Sequence, residues 1–224
     1  MISSPSTFFL SNIELFLKHC QKRTYKAKSI IIHSGDYSAS LFYILSGSVA
    51  VIVEDSDGNA ITLTYLNPGD FVGEMGLFEE GRRSARIRAK TQCELGEISY
   101  SKFLSISTKY PELLFTLARQ VSKRLAHTSR KVCDLAFLNV SGRIAGILLD
   151  LCNEPDAIKK SDGIEIRTTR QEIARLVGCS REMVGRILKD FEENSLVSLN
   201  GKNILIFDAS PQKLDRIRLV RKKL

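Results

Sequence analysis

The chain has 224 residues, of which 43% are hydrophobic and 26% charged, with only 14 Gly, 5 Pro and a net charge of +8. This composition excludes collagen-like and disordered classes, and no apolar run approaches the roughly 20 residues that a membrane-spanning helix needs. The five cysteines and three histidines are too scattered for a disulfide framework, a zinc or iron–sulfur site, or a metal-dependent enzyme. Residues 1–10 contain no Lys or Arg, so we expect no secretory signal and a cytoplasmic protein.

The first half of the chain changes from a helical to a strand-like pattern. Apolar residues at helical spacing predict a short helix over residues 8–19. From Ser29 to Ser99, short runs rich in Val, Ile, Leu and Tyr alternate with turn residues, and the Asp57-Gly58-Asn59 turn is typical of a β-hairpin. Many short strands with frequent turns predict a closed or doubled antiparallel sheet.

Two helices are predicted after this sheet. No Gly or Pro occurs between Pro111 and Gly142, which predicts a long helix, and a second one is expected over residues 140–152. A coiled-coil-like seam runs along the long helix through Leu114, Leu117, Val121, Thr128 and Leu135. This helix either packs on its own sheet or pairs with a second copy. The polar seam residues Arg124 and Thr128 favour a two-fold homodimer.

A domain boundary is expected at Leu138-Asn139, which divides the chain into residues 1–138 and residues 139–224. Each part has a net charge of +4, but the second is much shorter and is therefore more densely charged. A small basic domain suggests an acidic partner such as nucleic acid.

The sharpest local pattern lies in the second part. Thr169 can cap one helix, Gly178 stands where a tight turn needs positive φ, and Ser180 can cap the next helix. This is the layout of a helix-turn-helix, with residues 195–207 expected to form a hairpin wing beside it. The second helix presents three polar side chains that suit guanine and cytosine edges, namely Arg181, Glu182 and Arg186. A solvated helix face is the alternative, but the pattern meets every positional demand and predicts DNA binding.

A second pattern lies in residues 68–85. Gly73 and Gly76 allow a close approach of the backbone, Glu74 can accept hydrogen bonds from ribose hydroxyls, and Arg83 with Ser84 can hold a phosphate. A sheet turn with surface charges would give a similar pattern, so these residues do not decide the matter alone.

Taken together, these stretches resemble the CRP/FNR family of bacterial transcription regulators over about residues 8–207. The segments that carry the resemblance are residues 66–71, 73–81, 135–145 and 169–189. The resemblance implies an α+β fold, with an N-terminal cyclic-nucleotide-binding β-roll (jelly roll), a long dimerisation helix and a C-terminal winged helix-turn-helix. It also implies an activator or repressor that is no enzyme.

Specific roles follow from the resemblance and not from spacing. It implies that cyclic AMP is bound by Gly73, Glu74, Arg83, Ser84, Arg124, Thr128 and, from the partner chain, Ser129. It further implies that a TGTGA-like half-site in double-stranded DNA is read by Arg181, Glu182 and Arg186, while Arg170 and Ser180 hold phosphates. RNA polymerase is the implied protein partner, and no metal is implied.

Some features depart from the family pattern. The segment before Ser84 is one residue short and holds two arginines, so Arg82 rivals Arg83 for the phosphate. The loop expected to contact RNA polymerase carries Lys159 and Lys160, which puts that contact in doubt, whereas Arg23 and Lys102 partly keep a second contact patch. The basic tail over residues 210–224 is additional.

Two alternatives to a cAMP-responsive regulator are considered. A response to another effector, such as cyclic-di-GMP, or to none stays open. A cupin-like enzyme is disfavoured because His33 is the only histidine in the sheet region.

Overall fold

The computed structural model describes residues 13–78 and 81–207 of the chain. Contact density divides the chain into two compact units, Met1–Thr128 and Ser129–Leu224, and one long helix contributes to both. Within the described residues, the unit 1 strands are β1 Gln21–Tyr25, β2 Ile30–Ile32, β3 Ser40–Ser46, β4 Val49–Glu54, β5 Ala60–Leu66, β6 Phe71–Val72, β7 Arg86–Ala89 and β8 Cys93–Ser99. The helices that follow are α1 Tyr100–Ser107 and α2 Glu112–Phe137.

The strands of unit 1 form two four-stranded antiparallel sheets, in the orders β1-β8-β3-β6 and β2-β7-β4-β5. Of the two forms that the sequence predicts, a closed or a doubled antiparallel sheet, the structure has the doubled one. The predicted hairpin joins β4 to β5, and Gly58 there has φ +81°, a conformation that favours glycine. Apolar side chains from both sheets form one core, which includes Ile44, Val49 and Leu95.

A second core lies beneath the helices of unit 1. Its aromatic centre has Phe71 in edge-to-face contact with Phe16 and with Phe103, with ring centroids 5.7 Å and 5.9 Å apart. Phe16 belongs to a helical segment over residues 13–17, so the predicted N-terminal helix ends two residues early, and its residues 8–12 lie outside the described part. Leu117 is buried in this core. Its assignment to the dimer seam was therefore wrong, because this turn of α2 packs against its own sheet.

The second unit contains three helices and a sheet. The helices are α3 Val140–Cys152, α4 Arg170–Val177 and α5 Arg181–Glu193, and the strands are β9 Ile158–Lys159, β10 Gly163–Arg167, β11 Val197–Asn200 and β12 Asn203–Phe207. The strand order is β11-β12-β10-β9, so the predicted wing hairpin belongs to a larger antiparallel sheet. The helix predicted over residues 140–152 is confirmed. Its start is fixed by Asn139, whose side chain accepts a hydrogen bond from the N–H of Gly142 at 2.9 Å.

The five cysteines, all within the described residues, are free thiols, and Cys133 among them is exposed. Burial raises the pKa of Cys20 to about 12 and that of Cys152 to about 11, which keeps both thiols protonated near neutral pH. No cluster of three or more His, Cys, Asp or Glu side chains suited to a metal ion occurs in residues 13–78 and 81–207. Within the same residues, every helix is too short or too polar to cross a membrane.

Candidate functional site

A pocket of about 310 Å³ opens in unit 1. Its apolar wall includes Ile32, Val51, Leu63, Val72 and Ile87, and its polar lining includes Gly73, Glu74, Arg82, Arg83, Ser84 and Arg124. The pocket therefore brings residues of the predicted segment 68–85 together with Arg124 of the long helix. An apolar wall facing a carboxylate and several guanidinium groups suits a small anionic ligand that also has a flat apolar part.

The two neighbouring arginines of the pocket differ in their surroundings. The Arg83 guanidinium donates to the carbonyl oxygens of Gly73 at 3.1 Å and Ser40 at 2.8 Å, and to the Tyr100 hydroxyl at 2.9 Å. Arg82 is exposed, stacks on the ring of Tyr37 at 4.9 Å and donates to a loop carbonyl. Because Arg83 is part of the pocket framework and Arg82 lies at its rim, the geometry favours Arg83 as the fixed anion-binding group.

Glu74 and Arg124 form the second charged element of the pocket. Glu74 is only 8% exposed, and its carboxylate accepts a hydrogen bond from the Arg124 guanidinium at 2.5 Å. Arg124 also donates to the carbonyl oxygen of Phe71. One helical turn earlier, the Gln120 side chain accepts from the N–H of Phe71 at 2.9 Å. Both main-chain groups of Phe71 are therefore bonded to side chains of α2, which ties the pocket edge to the long helix.

The other predicted ligand residues are exposed, and two of them lie outside this lining. Thr128 and Ser129 are exposed on α2, beyond the pocket of the single chain. Ser84 is at the pocket but exposed, with its hydroxyl 3.3 Å from the sulfur of Met75. Sequence reasoning missed Ser40, Tyr100 and Gln120, since nothing in their local sequence distinguishes them. Their role depends on strand pairing and on the position of α2.

The helix-turn-helix of unit 2 is built as its sequence predicts. Thr169 and Glu172 form a reciprocal capping box at the start of α4. Gly178 ends that helix with φ 73° and ψ 53°, the left-handed conformation expected at this turn. The Ser180 side chain then accepts from the N–H of Met183 at 3.2 Å and caps α5. Val184 and Leu188 of α5 are buried, so the opposite face of this helix is fixed outward.

The residues predicted to contact nucleic acid lie on this outward face of α5, at its N-cap and at the start of α4. All five side chains assigned to DNA are exposed: Arg170, Ser180, Arg181, Glu182 and Arg186. Arg170 also lies close to α5, because a Cβ added at Gly185 would be 3.7 Å from its Cδ. Ser180, Arg181, Glu182 and Arg186 lie at the cap and in the first two turns of α5, and Arg170 lies at the start of α4 beside it.

Two domain families match the chain in the same order as its units. A cyclic nucleotide-binding domain matches residues 22–110, and a Crp-like helix-turn-helix domain matches residues 142–216. A sensory sheet domain joined to a helix-turn-helix defines the class of DNA-binding transcription regulators.

The relatives narrow this class to one family. The chain is 52% identical over 211 residues to the cAMP-activated global transcriptional regulator Vfr of Pseudomonas aeruginosa, covering 92% of this chain and 99% of that protein. It is also 52% identical over 196 residues to the cAMP-activated global transcriptional regulator CRP of Salmonella typhimurium, covering 87% and 93% respectively. The solved structure of the c-di-GMP responsive global regulator CLP of Xanthomonas campestris matches with a TM-score of 0.83 and 43% identity, covering 88% of this chain and 99% of that one. The chain belongs to the CRP family of transcription regulators.

Proposed function

We propose that this protein is a cAMP-responsive homodimer that binds a TGTGA-like palindrome and regulates transcription through contact with RNA polymerase. The observation that carries the proposal is the pocket in which Glu74 and Arg83 face an apolar wall. Curated relatives at 52% identity are cAMP-activated regulators, which supports cAMP as the ligand.

In the proposed complex, Arg83 and Ser84 bind the cyclic phosphate, while Gly73 and Glu74 bind the ribose. Arg124 already bonds to Glu74 and would complete the ribose end of the pocket. Thr128 and the partner subunit's Ser129 would contact the adenine. Because these last two positions are on the long helix, ligand binding would couple the pocket to the dimer interface.

The exposed apolar residues of α2 support the dimer. In the single chain, large apolar side chains face solvent along this helix at Leu114, Val121, Leu125, Val132 and Leu135, each at least 38% exposed. Burying such a stripe against a second copy is the usual arrangement of a parallel helix pair. We place the functional domain boundary at Leu138-Asn139, between residues 1–138 and 139–224, because α2 ends at Phe137 and Asn139 caps the next helix.

On DNA, Arg181, Glu182 and Arg186 would contact base edges, and Arg170 and Ser180 would bind phosphates. Dimeric helix-turn-helix proteins read half-sites about 34 Å apart, so ligand would act by setting the spacing of the two α5 helices. Such coupling is typically about 1–3 kcal/mol and is reciprocal, so DNA should also tighten cAMP binding. Arg23 and Lys102, both exposed, would contribute to the polymerase contact in the cytoplasm.

A gel-shift titration tests the proposal directly. The full-length protein is titrated onto a TGTGA palindrome with and without cAMP, and we expect cAMP to raise the affinity at least about fivefold. A palindrome with both TGTGA half-sites scrambled serves as the matched control. Equal affinity with and without cAMP would reject the ligand assignment, and equal affinity for both DNAs would reject the site assignment.

A second effector has one specific observation in its favour. The solved relative with a TM-score of 0.83 is a c-di-GMP responsive regulator. Adding cyclic-di-GMP to the same gel shift separates the two candidates. If cyclic-di-GMP alone changes the affinity for the palindrome, this alternative replaces cAMP.

A further inference from the structure

The Tyr100 hydroxyl forms hydrogen bonds with Arg83 and with two of the groups around it. It lies 2.5 Å from the carbonyl oxygen of Gly73, 2.9 Å from Nη1 of Arg83 and 2.6 Å from Oγ of Ser38. A carbonyl only accepts and a guanidinium only donates, so Tyr100 donates to Gly73 and accepts from Arg83. Its single proton is then used, and Ser38 must be the donor in the third bond. The hydroxyl is therefore fully satisfied by these three groups.

Gly73 and Gly76, which line the pocket, leave room for these hydrogen-bonded side chains. A Cβ at Gly76 would lie 2.0 Å from Oγ of Ser38 and 2.8 Å from the Tyr100 hydroxyl. A Cβ at Gly73 would lie 2.5 Å from Nη1 of Arg83, and Gly73 has φ +80°. The close backbone approach that the sequence predicts at these glycines is therefore an approach to the Tyr100 and Arg83 side chains.

The same bonds leave part of the Arg83 guanidinium available. A guanidinium has five N–H donors. In the described part of the chain, Nη1 donates to Gly73 and Tyr100, and Nη2 donates to Ser40, whose oxygens lie at 2.8 Å and 3.4 Å. These acceptors are all uncharged, so they hold the guanidinium without neutralising it. The Nε–H stays available for an oxyanion, which guanidinium groups bind strongly.

We propose that Tyr100 is a positioning residue of the phosphate site, and that its hydroxyl fixes the Arg83 guanidinium against the Gly73 carbonyl with the Nε–H left for a cyclic phosphate. This inference rests on the proposed cyclic-nucleotide function. It adds to that function a residue which is 17 positions beyond Arg83, at the start of α1.

A double-mutant cycle tests the proposal by calorimetric titration of cAMP into the full-length protein. Removing one hydrogen bond to a charged group should weaken binding in Tyr100→Phe by about tenfold. Arg83→Lys keeps the charge but loses the planar fork, and we expect it to weaken binding by roughly fiftyfold. If Tyr100 acts through Arg83, the double variant should bind within about twofold of Arg83→Lys alone.

Two further single variants are measured beside the cycle, one as a control and one as an intermediate case. Tyr43→Phe removes a hydroxyl from the same helix-side core, outside the Arg83 network, and should bind cAMP within about twofold of the wild type. Ser38→Ala leaves the Tyr100 ring in place and should give an intermediate loss of about threefold. Thermal unfolding without ligand checks that each variant is folded.

The outcomes are distinct. If the wild type binds cAMP but Tyr100→Phe matches it within about twofold, or if the two losses multiply in the double variant, Tyr100 is only structural and the inference is overturned. If the wild type itself does not bind cAMP, both the proposed function and this inference are overturned.

Discussion

The arginines of the pocket and those of the helix-turn-helix are held in opposite ways. Arg83 is bonded to two carbonyls and two hydroxyls from three separate parts of unit 1. Within the described residues, the exposed Arg181 side chain on α5 makes no hydrogen bond, and the Arg186 side chain is hydrogen-bonded only to the sulfur of Met183 in its own helix. In unit 2 the rigid part is the helix itself, capped by Ser180.

This difference reflects the two kinds of partner that we propose. A small ligand offers one phosphate in one place, so a preorganised guanidinium avoids an entropic cost when it binds. A DNA site offers several bases and phosphates whose exact positions vary with sequence, so side chains on a fixed helix can adjust to them. Ligand binding should therefore depend strongly on the fixed Arg83 guanidinium, whereas DNA affinity should fall by a separate amount for each helix contact that is removed.

The largest effect is expected for Arg83→Leu. Removing this guanidinium should weaken cAMP binding by roughly a hundredfold, because truncating one partner of a close charge pair costs several kcal/mol. Calorimetric titration measures the loss. Arg82→Leu is the matched control and should lose less than about fivefold, since Arg82 is exposed at the rim. The reverse ranking of the two variants would show that Arg82 holds the phosphate.

Arg181→Ala should come next. One good base contact is worth about 1–3 kcal/mol of discrimination, so the affinity for the TGTGA palindrome should fall by about thirtyfold while binding to scrambled DNA changes little.

In contrast, Arg170→Ala should lower the affinity for both DNAs equally and make the dependence of affinity on salt less steep. Gel shifts at several salt concentrations measure both. If Arg181→Ala lowers the affinity for the palindrome and for scrambled DNA equally, Arg181 contacts the DNA backbone and not the bases.

A smaller effect tests the connection between the two regions. Gln120→Ala removes the acceptor of the Phe71 N–H without touching the pocket lining. We expect cAMP to bind within about threefold of wild type, but the gain in DNA affinity that cAMP produces should shrink by about fivefold. Comparing the gel shift with the calorimetric titration separates these quantities. An unchanged gain would mean that coupling bypasses Phe71.

The smallest expected effects concern stability. Gly178→Ala forces a side chain into φ 73° and should destabilise the protein by about 1 kcal/mol, although no atom stands within 4 Å of the added methyl group. Gly146→Ala is the same chemical change inside helix α3, also with open space, and should stabilise by about 1 kcal/mol. Urea denaturation measures both. Shifts of the same sign would contradict the conformational explanation.

The two regions also differ in how far their sequences predict them. The helix-turn-helix follows from local signals, since the Thr169 cap, the Gly178 turn and the Ser180 cap each act within a few residues. The pocket depends on residues far apart in the chain. Arg83 and Glu74 could be found because they share one loop, but Ser40 and Tyr100 reach Arg83 only through the pairing of β3 with β8.

The long helix shows the same limit. Its heptad spacing predicts a dimer seam, which stays a prediction for the apolar residues that are exposed in the single chain. It assigns Leu117 wrongly, because periodicity does not say which partner covers each turn of a helix. The sequence likewise predicts the end of this helix only as a boundary near Leu138, whereas the reason is a side chain, Asn139, that begins the next helix.

The attachment of Phe71 to α2 has a mechanical consequence. Its ring is fully buried among other aromatic rings, and its N–H and C=O are both taken by side chains four positions apart on the helix. A shift or rotation of α2 at Gln120 and Arg124 would have to break these hydrogen bonds or displace Phe71 from its close-packed aromatic neighbours. In the proposed switch, we therefore expect that stretch of α2 to move together with the sheet, and any bending of α2 to begin beyond Arg124.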